Sequence, residues 1–524
     1  MKNKKHLFII TSTLPLTYGG RTNSLLQRAR LLTENKTPIK KVTLATCNYN
    51  PNYNEIYKDY REKGTVNNKI DFINMYDWFK ASYQKDKLKN MSFPKKLKKI
   101  FSKKTNNNYK TYIKNTFGND TYEMKRKKSS PITYYYKDGI LIYHLSYNIK
   151  ENRMGHIDVY SGYLNHPKKR MYMNDEGNFH KIRYYKDQTK HNIIRDVFVD
   201  ENMNTYFTRE FYYEKDILKT KKDILFKPDG STKTFKTETD LFAYWFNLIF
   251  KDGNKIISDA RVLDGGLLQI DKNVTRFFQA HGPHLHSPSK PNPKIKKGFD
   301  RLSKKIEAED DYIITLTEGQ KVDMIERYPR LENKIKVIPH CMLTNSMKVN
   351  YQNVIPKKIS IISRLVPIKR IDHAIKAFSE FLKERPGYTL DIYGTGEELS
   401  NLKKLTKKLK LNNNVTFKGF TDNPHDIFQK SEFTLLTSKF EGLGLTILES
   451  IVNGCPVISY DIKWGPNEII ESHNGILVED GNLEELKKAM IFMADNPFDR
   501  KKVVKIDKKF TKKQFLKEWT RLLK

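Results

Sequence analysis

The chain is 524 residues long, with 38% hydrophobic and 12% aromatic residues, which excludes wholesale disorder and allows several domains. Its formal net charge of +36 favours anionic partners such as nucleic acid, an acidic membrane face or a phosphate polymer, without choosing among them. Cys47, Cys341 and Cys455 are widely spaced, which argues against a zinc ribbon or a disulfide framework and fits a reducing cytoplasm.

The N-terminus, MKNKKHLFIITSTLPL, has the basic-then-apolar look of a signal peptide. Thr-Ser-Thr interrupts the apolar part, and a Gly-Gly turn follows instead of a cleavage site, so the segment reads as a first buried strand. No run reaches the roughly 18 to 20 apolar residues of a membrane span. Residues 1–75 read as βαβ: strand LFIIT, a helix with Leu25, Ala29 and Leu32 on one face, then strand KKVTLAT. From 76 to about 130 the chain turns basic. SFPKKLKKIFSKK places Leu97, Ile100 and Phe101 at helical spacing among lysines, either as a solvated helix or as a contact with an anionic membrane.

From about 131 to 240 the period becomes two, with turns at KDG, NDEGN, DENMN and KPDGS. YMNDEGNFHKIRYY and FVDENMNTYFTREFYY read as imperfect copies of one hairpin, which predicts an antiparallel meander. Its edges need covering, by oligomerisation or by short charged edge strands. From 241 the α/β alternation resumes, and a second series opens after a break at 345–356. The predicted fold is α/β: two doubly wound Rossmann-like domains facing across a cleft, with an antiparallel β-rich insertion in the first. The boundaries are 1–75 and 241–344 for the first domain, 76–240 for the insertion, 345–505 for the second domain, and 506–524 for a C-terminal helix. Ligands in such sheets bind at the carboxyl ends of strands.

Four loops sit where a strand ends and a helix begins. Gly19 and Gly20 allow close backbone approach before a helix N-terminus. Arg364 and Lys369, in SRLVPIKR, are a pair that can converge on a diphosphate. Gly394 and Gly396 in YGTGE, with Gly419 and Phe420 in KGFTDN, can frame a nucleoside, Phe420 as an apolar wall. In EGLGLTILES, Gly444 allows a tight turn and the amides of Leu445 and Thr446 open a helix that can face phosphate. Glu441 and Glu449 are acceptors for sugar and ribose hydroxyls. Taken singly, each loop is also an ordinary strand-to-helix turn, and each acid an ordinary helix acid. Opposite lies HGPHLH. Its three histidines have no nearby ligand set for a metal, and His281 or His284 is the candidate to reach a sugar.

The ordered set GG, R-x4-K, G-x-G-E, G-F-x-x-N and E-x7-E resembles the retaining nucleotide-sugar glycosyltransferases of family 4, with the GT-B fold. GGRTNSLLQRARLL, YNEIYKDYREKG and the β-rich insertion resemble a narrower group, the bacterial wall-teichoic-acid poly(polyol-phosphate) α-glycosyltransferases. The resemblance implies a UDP-sugar donor, an anionic polyol-phosphate acceptor, and a homotrimer held through the insertion. It places the donor against Gly19 and Gly20, its phosphates on Arg364 and Lys369, its sugar near Glu441 and its ribose near Glu449. The family's active-site histidine matches His281 or His284. The chain contains no Asp-x-Asp, so no metal cofactor is expected, and fixed cations and helix amides would stabilise leaving UDP. The expected location is cytoplasmic, at most peripheral on the inner membrane face. Two alternatives are an O-glycosyltransferase acting on Ser/Thr-rich adhesins and a non-catalytic basic binding protein; no nucleic-acid-binding signature supports the latter.

Overall fold

The computed structural model describes residues 5–89, 109–118, 122–126, 130–148, 153–161, 166–174, 177–186, 192–308, 311–343, 349 and 352–524. The basic stretch with Leu97, Ile100 and Phe101, and the second half of the KRKK run, lie outside them.

The first sheet has seven parallel strands in the order Ile335–Val337, Tyr312–Thr315, Thr275–Gln279, Lys255–Ser258, Lys5–Thr11, Ile39–Thr46 and Ile70–Asn74. The N-terminal apolar run is thus a central strand, paired on both sides. Both faces of such a sheet are covered, which is why LFIIT is continuously apolar rather than alternating. The second sheet is also parallel, in the order Val415–Gly419, Thr389–Tyr393, Lys358–Ile362, Phe433–Leu436, Val457–Asp461 and Gly475–Glu479. Helix Ile371–Glu384 shows how the sequence builds these layers. Ile371, Ala374, Ile375, Ala377, Phe378 and Phe381 follow helical spacing and are its buried residues. The helix stops just before Arg385-Pro386, because proline disfavours helical backbone in the residue before it.

Between the halves of the first sheet, in sequence, lies a ten-stranded antiparallel meander. It runs in strict chain order from Glu123–Lys125 to Thr232–Phe235. The repeat legible in the sequence has a physical core. Arg170 pairs with both oxygens of Asp158. Arg183 pairs likewise with Asp196, and Arg209 with Asp223. These residues stand in cross-strand register, forming one ladder across the sheet. The three aspartates are buried, and a buried carboxylate needs such a bidentate partner.

The meander is not a separate bead. Phe198, Tyr206, Phe207, Leu225 and Phe235 share one core with Phe8, Ile10, Trp245 and Phe246 of the first half. Helix Met75–Lys89 joins this core through Met75, Tyr76 and Phe79. The sequence reading places 76–130 in a basic segment; its beginning is instead a packing helix at the seam. Earlier strands form their own cluster around Tyr143, Ile157, Met171 and Phe179.

The last helix, Lys512–Leu523, returns to the first half. Phe515, Trp519 and Leu523 pack with Leu7, Ile9 and Phe277. Met342 bridges to Thr511, and its amide donates to the Phe510 carbonyl at 2.9 Å. No helix among the described residues is long and apolar enough to cross a membrane.

Candidate active site

The two halves meet along the carboxyl ends of their strands. A Cβ on Gly442 would lie 2.0 Å from the His281 carbonyl oxygen, so only glycine lets these two loops touch. A Cβ on Gly20 would lie 3.1 Å from Leu445 Cδ1, bringing the Gly-Gly turn against the helix of the opposite half; Gly19 faces open space. Further along the seam, Glu468 accepts from the amides of Glu318 and Gly319 at 3.1 and 2.9 Å. That carboxylate caps the N-terminus of helix Glu318–Arg327. Asp323 accepts from Trp464 Nε1 at 2.9 Å. Four of the segments singled out in the sequence, GG, SRLVPIKR, EGLGLTILES and HGPHLH, therefore surround one cleft or its walls.

On the second half, three strand-end loops are layered backbone on backbone. Ser363 donates to Tyr393, Leu365 to Thr395, and Gly394 to Gly419. Cβ atoms on Gly394 and Gly396 would fall 1.8 and 2.1 Å from the carbonyl oxygens of Ser363 and Leu365. Their lack of side chains is explained by this packing rather than by open space for a base. Phe420 is 55% exposed, with its ring open to solvent. Arg364 is exposed, with its side chain free of ion pairs among the described residues.

Lys369 and Glu441 differ from their separate assignments. The Lys369 ammonium donates to Glu441 Oε1, and Ser438 Oγ donates to the same oxygen at 2.6 Å. Arg370 holds the underlying loop by donating to the carbonyls of Thr437 and Ser438 at 2.9 and 2.7 Å. The candidate phosphate lysine and the candidate sugar glutamate thus form one pair, and Glu441 keeps one oxygen unoccupied by these donors. Gly444 has φ +90 and precedes helix Leu445–Val452. A left-handed residue is needed there, which glycine supplies without strain. Glu449, on the second turn of that helix, makes no side-chain hydrogen bond or ion pair among the described residues. Burial pushes its carboxyl up to about 7, because removing an unpaired carboxylate from water disfavours its charged form.

On the first half, the structure separates the two histidines. His281 lines a cavity of about 260 Å³ together with Arg21, Asp259, Arg261, Gln279 and Lys296. Its Nε2 lies 3.1 Å from Asp259 Oδ1, and its ring stacks on His340 with centroids 5.5 Å apart. Burial lowers its pKa, outweighing the opposite pull of Asp259. Burial would raise Asp259, yet Arg28 and His281 hold it far below the usual carboxylate range. Arg28 reaches Asp259 directly and donates to Gln279 Oε1 at 3.0 Å. His284 is fully buried, stacked on Trp464 at 5.1 Å and edge-on to Phe299. Burial lowers it to about 4. It is a packing residue of the seam rather than a cavity residue.

Arg28, Asp259, Arg261, Gln279 and Lys296 escape the sequence reading. Asp259 and Gln279 sit at or just past the ends of parallel strands Lys255–Ser258 and Thr275–Gln279. The strand-end rule that found the glycine loops would have found them too. Lys296 sits 17 residues past the end of strand Thr275–Gln279, in an irregular loop, and no local pattern marks it.

Among the described residues, one group has metal-ligand character: His144, His156 and Asp158. It lies in the antiparallel sheet rather than in the cleft, and Arg170 already occupies both oxygens of Asp158.

Residues 344–510 match the family model described as glycosyl transferases group 1. A poly(glycerol-phosphate) alpha-glucosyltransferase of Bacillus subtilis (strain 168) is 28% identical over 98% of this chain and 74% of its own. A poly(ribitol-phosphate) alpha-N-acetylglucosaminyltransferase of Staphylococcus aureus (strain COL) is 24% identical over 99% of both chains. A crystal structure of an S. aureus TarM variant in complex with fondaparinux, α-GlcNAc-glycerol and UDP matches with TM-score 0.80 at 22% identity, over 99% of both chains.

Proposed function

We propose that this chain, a glycosyltransferase of GT-B fold whose residues 344–510 match the group 1 family, moves a hexose or N-acetylhexosamine from a UDP-sugar to hydroxyls of a poly(glycerol- or ribitol-phosphate) teichoic acid. The observation that carries this reading is the extent of the sequence likeness. Both relatives named for polyol-phosphate acceptors align over nearly the whole chain, insertion included. The charge of +36 supports it, since a polyanionic acceptor is gathered by a cationic surface.

In this reading Arg364 and the Lys369–Glu441 pair flank the donor diphosphate, and the amides at Leu445 and Thr446 face it. Glu449 accepts from the ribose diol. Transfer proceeds with retention: the bond from the anomeric carbon to UDP breaks, and the acceptor oxygen bonds on the same face. The acceptor proton passes to the departing phosphate oxygen. The neutral His281 contacts the transferred sugar. No metal is required, because fixed cations and amides balance the charge that develops on UDP.

We further propose a homotrimer assembled through the meander, working at the cytoplasmic face of the membrane where a growing polymer is presented. Support comes from apolar residues at one end of the sheet. Tyr212 and Ile217 on one face, and Tyr213 and Leu218 on the other, flank the turn between two long strands and are exposed, giving the hairpin tip apolar surface suited to a partner copy.

The test is a panel of UDP-sugars incubated with purified teichoic acid and, in parallel, a Ser-rich polypeptide. Label is expected on the polymer with a single preferred sugar. Label on the polypeptide alone would overturn the acceptor assignment.

A further inference from the structure

The cavity beside His281 has an unusual balance of groups. Arg21, Arg261 and Lys296 line it, with Arg28 just behind Asp259. Against these four cations stand two carboxylates. Asp259 is taken by Arg28, and Asp264 by Arg261 at 3.0 Å. Arg21 donates to Thr11 Oγ1 at 3.1 Å and Lys296 to the Pro283 carbonyl at 2.8 Å. Neither meets a carboxylate among the described residues. Two positive charges therefore face the cavity without a counter-charge: Arg21 is exposed, and Lys296 is half-buried, where an anion is held more strongly than on open surface.

Asp259 does not offset them. Its side chain has no exposed surface and is paired with Arg28 behind the cavity wall. The cavity thus offers two unspent cations for an anion, next to the histidine of the cleft.

We infer that this cavity is a subsite for one polyol-phosphate unit of the acceptor, whose phosphate Arg21 and Lys296 take. The inference rests on the polymer reading above and makes it specific. The enzyme recognises a phosphate within its acceptor, rather than attracting the polymer through diffuse charge alone. Asp259 and Arg28 then act as positioning residues, fixing His281 beside that phosphate.

The experiment compares glycerol 3-phosphate with glycerol as minimal acceptors, with the preferred UDP-sugar saturating. The readout is the ratio of their kcat/KM values. The wild-type ratio is expected to favour the phosphorylated acceptor. Lys296→Met should reduce that ratio about tenfold, the loss typical of one charge-assisted hydrogen bond. Lys296→Arg should restore most of it, and Arg21→Met should act in the same direction. Thermal melting of each variant checks folding. An unchanged ratio in Lys296→Met combined with Arg21→Met overturns the subsite while leaving the polymer reading intact. A loss of UDP affinity with the ratio preserved assigns the cavity to the donor and overturns it as well. A wild-type enzyme that hydrolyses UDP-sugar yet glycosylates neither teichoic acid nor these minimal acceptors overturns the polymer reading itself.

Discussion

Glu449 carries a carboxyl that its surroundings prefer neutral. Its ordinary value of 4.5 is pushed up to about 7 by burial. Between those two pH values the folded chain holds a proton that the unfolded chain has released. The sign follows: stability from this group is complete below pH 4.5 and is lost as pH rises through 7. Glu449→Gln should therefore stabilise the protein at pH 8, on the order of 2 kcal/mol after allowance for partial solvent access, with no gain at pH 4. Chemical denaturation at the two pH values measures this. If the carboxylate receives the ribose diol, UDP binding must favour its ionised form and release a proton near pH 6.5. Calorimetry in buffers of different ionisation enthalpy would reveal that release, and buffer-independent heats would remove Glu449 from the ribose. At this scale the sequence marked both glutamates of the E-x7-E spacing. It could not reveal that Lys369 and Glu441 pair with each other, because the partners are far apart in the chain and meet only through layered loops. Nor could it separate His281 from His284, since three residues on an irregular turn have no period to fix their direction.

Hairpins make the same point for elements. Three turns of the meander share one hydrogen-bond pattern, with residues at matching places holding a left-handed backbone. They are Gly177, Met203 and Gly230, with φ of +76, +62 and +85. Two of the three use glycine; Met203 pays a steric cost that its sisters avoid. Met203→Gly should raise stability by about 1 kcal/mol, and a lowered melting temperature would mean that the Met203 side chain packs more favourably than its strain costs. The turns and the period of two were legible in the sequence, and so was the repeat. Helix Met75–Lys89 was not, because its lysines are plain to see whereas its value lies in what Met75, Tyr76 and Phe79 touch across the seam. Amphipathicity tells which face is buried, never against what.

At the scale of the whole molecule, the two-sheet architecture followed from alternating strands and helices, which admit few other packings. How the halves face each other did not follow from pattern; it depends on contacts such as Gly442 on the His281 carbonyl. Two expectations belong here. Transfer should proceed undiminished in EDTA, since the proposed charge balance uses Arg364, Lys369 and helix amides; activity lost in EDTA and restored by Mn²⁺ would contradict it. Light scattering should give three times the chain mass of 61.8 kDa, and replacing Tyr213 and Ile217 by lysine should reduce it to one, with the melting curve retained. A mass of one chain in the unaltered protein would refute assembly through the exposed hairpin.

The return of helix Lys512–Leu523 to the first half has a mechanical consequence. The chain passes between the halves twice, and the two passages are fastened side by side where Met342 meets Phe510 and Thr511. Bodies joined by a single strand can tumble; joined by two neighbouring strands, they swing like a door and resist twisting. Any widening of the cleft should then rotate about the line through those two passages, keeping the Gly-Gly turn and the Leu445 helix opposite one another throughout the stroke. A cut between Val503 and Lys512 would remove one of the two straps and leave the panel free to turn askew.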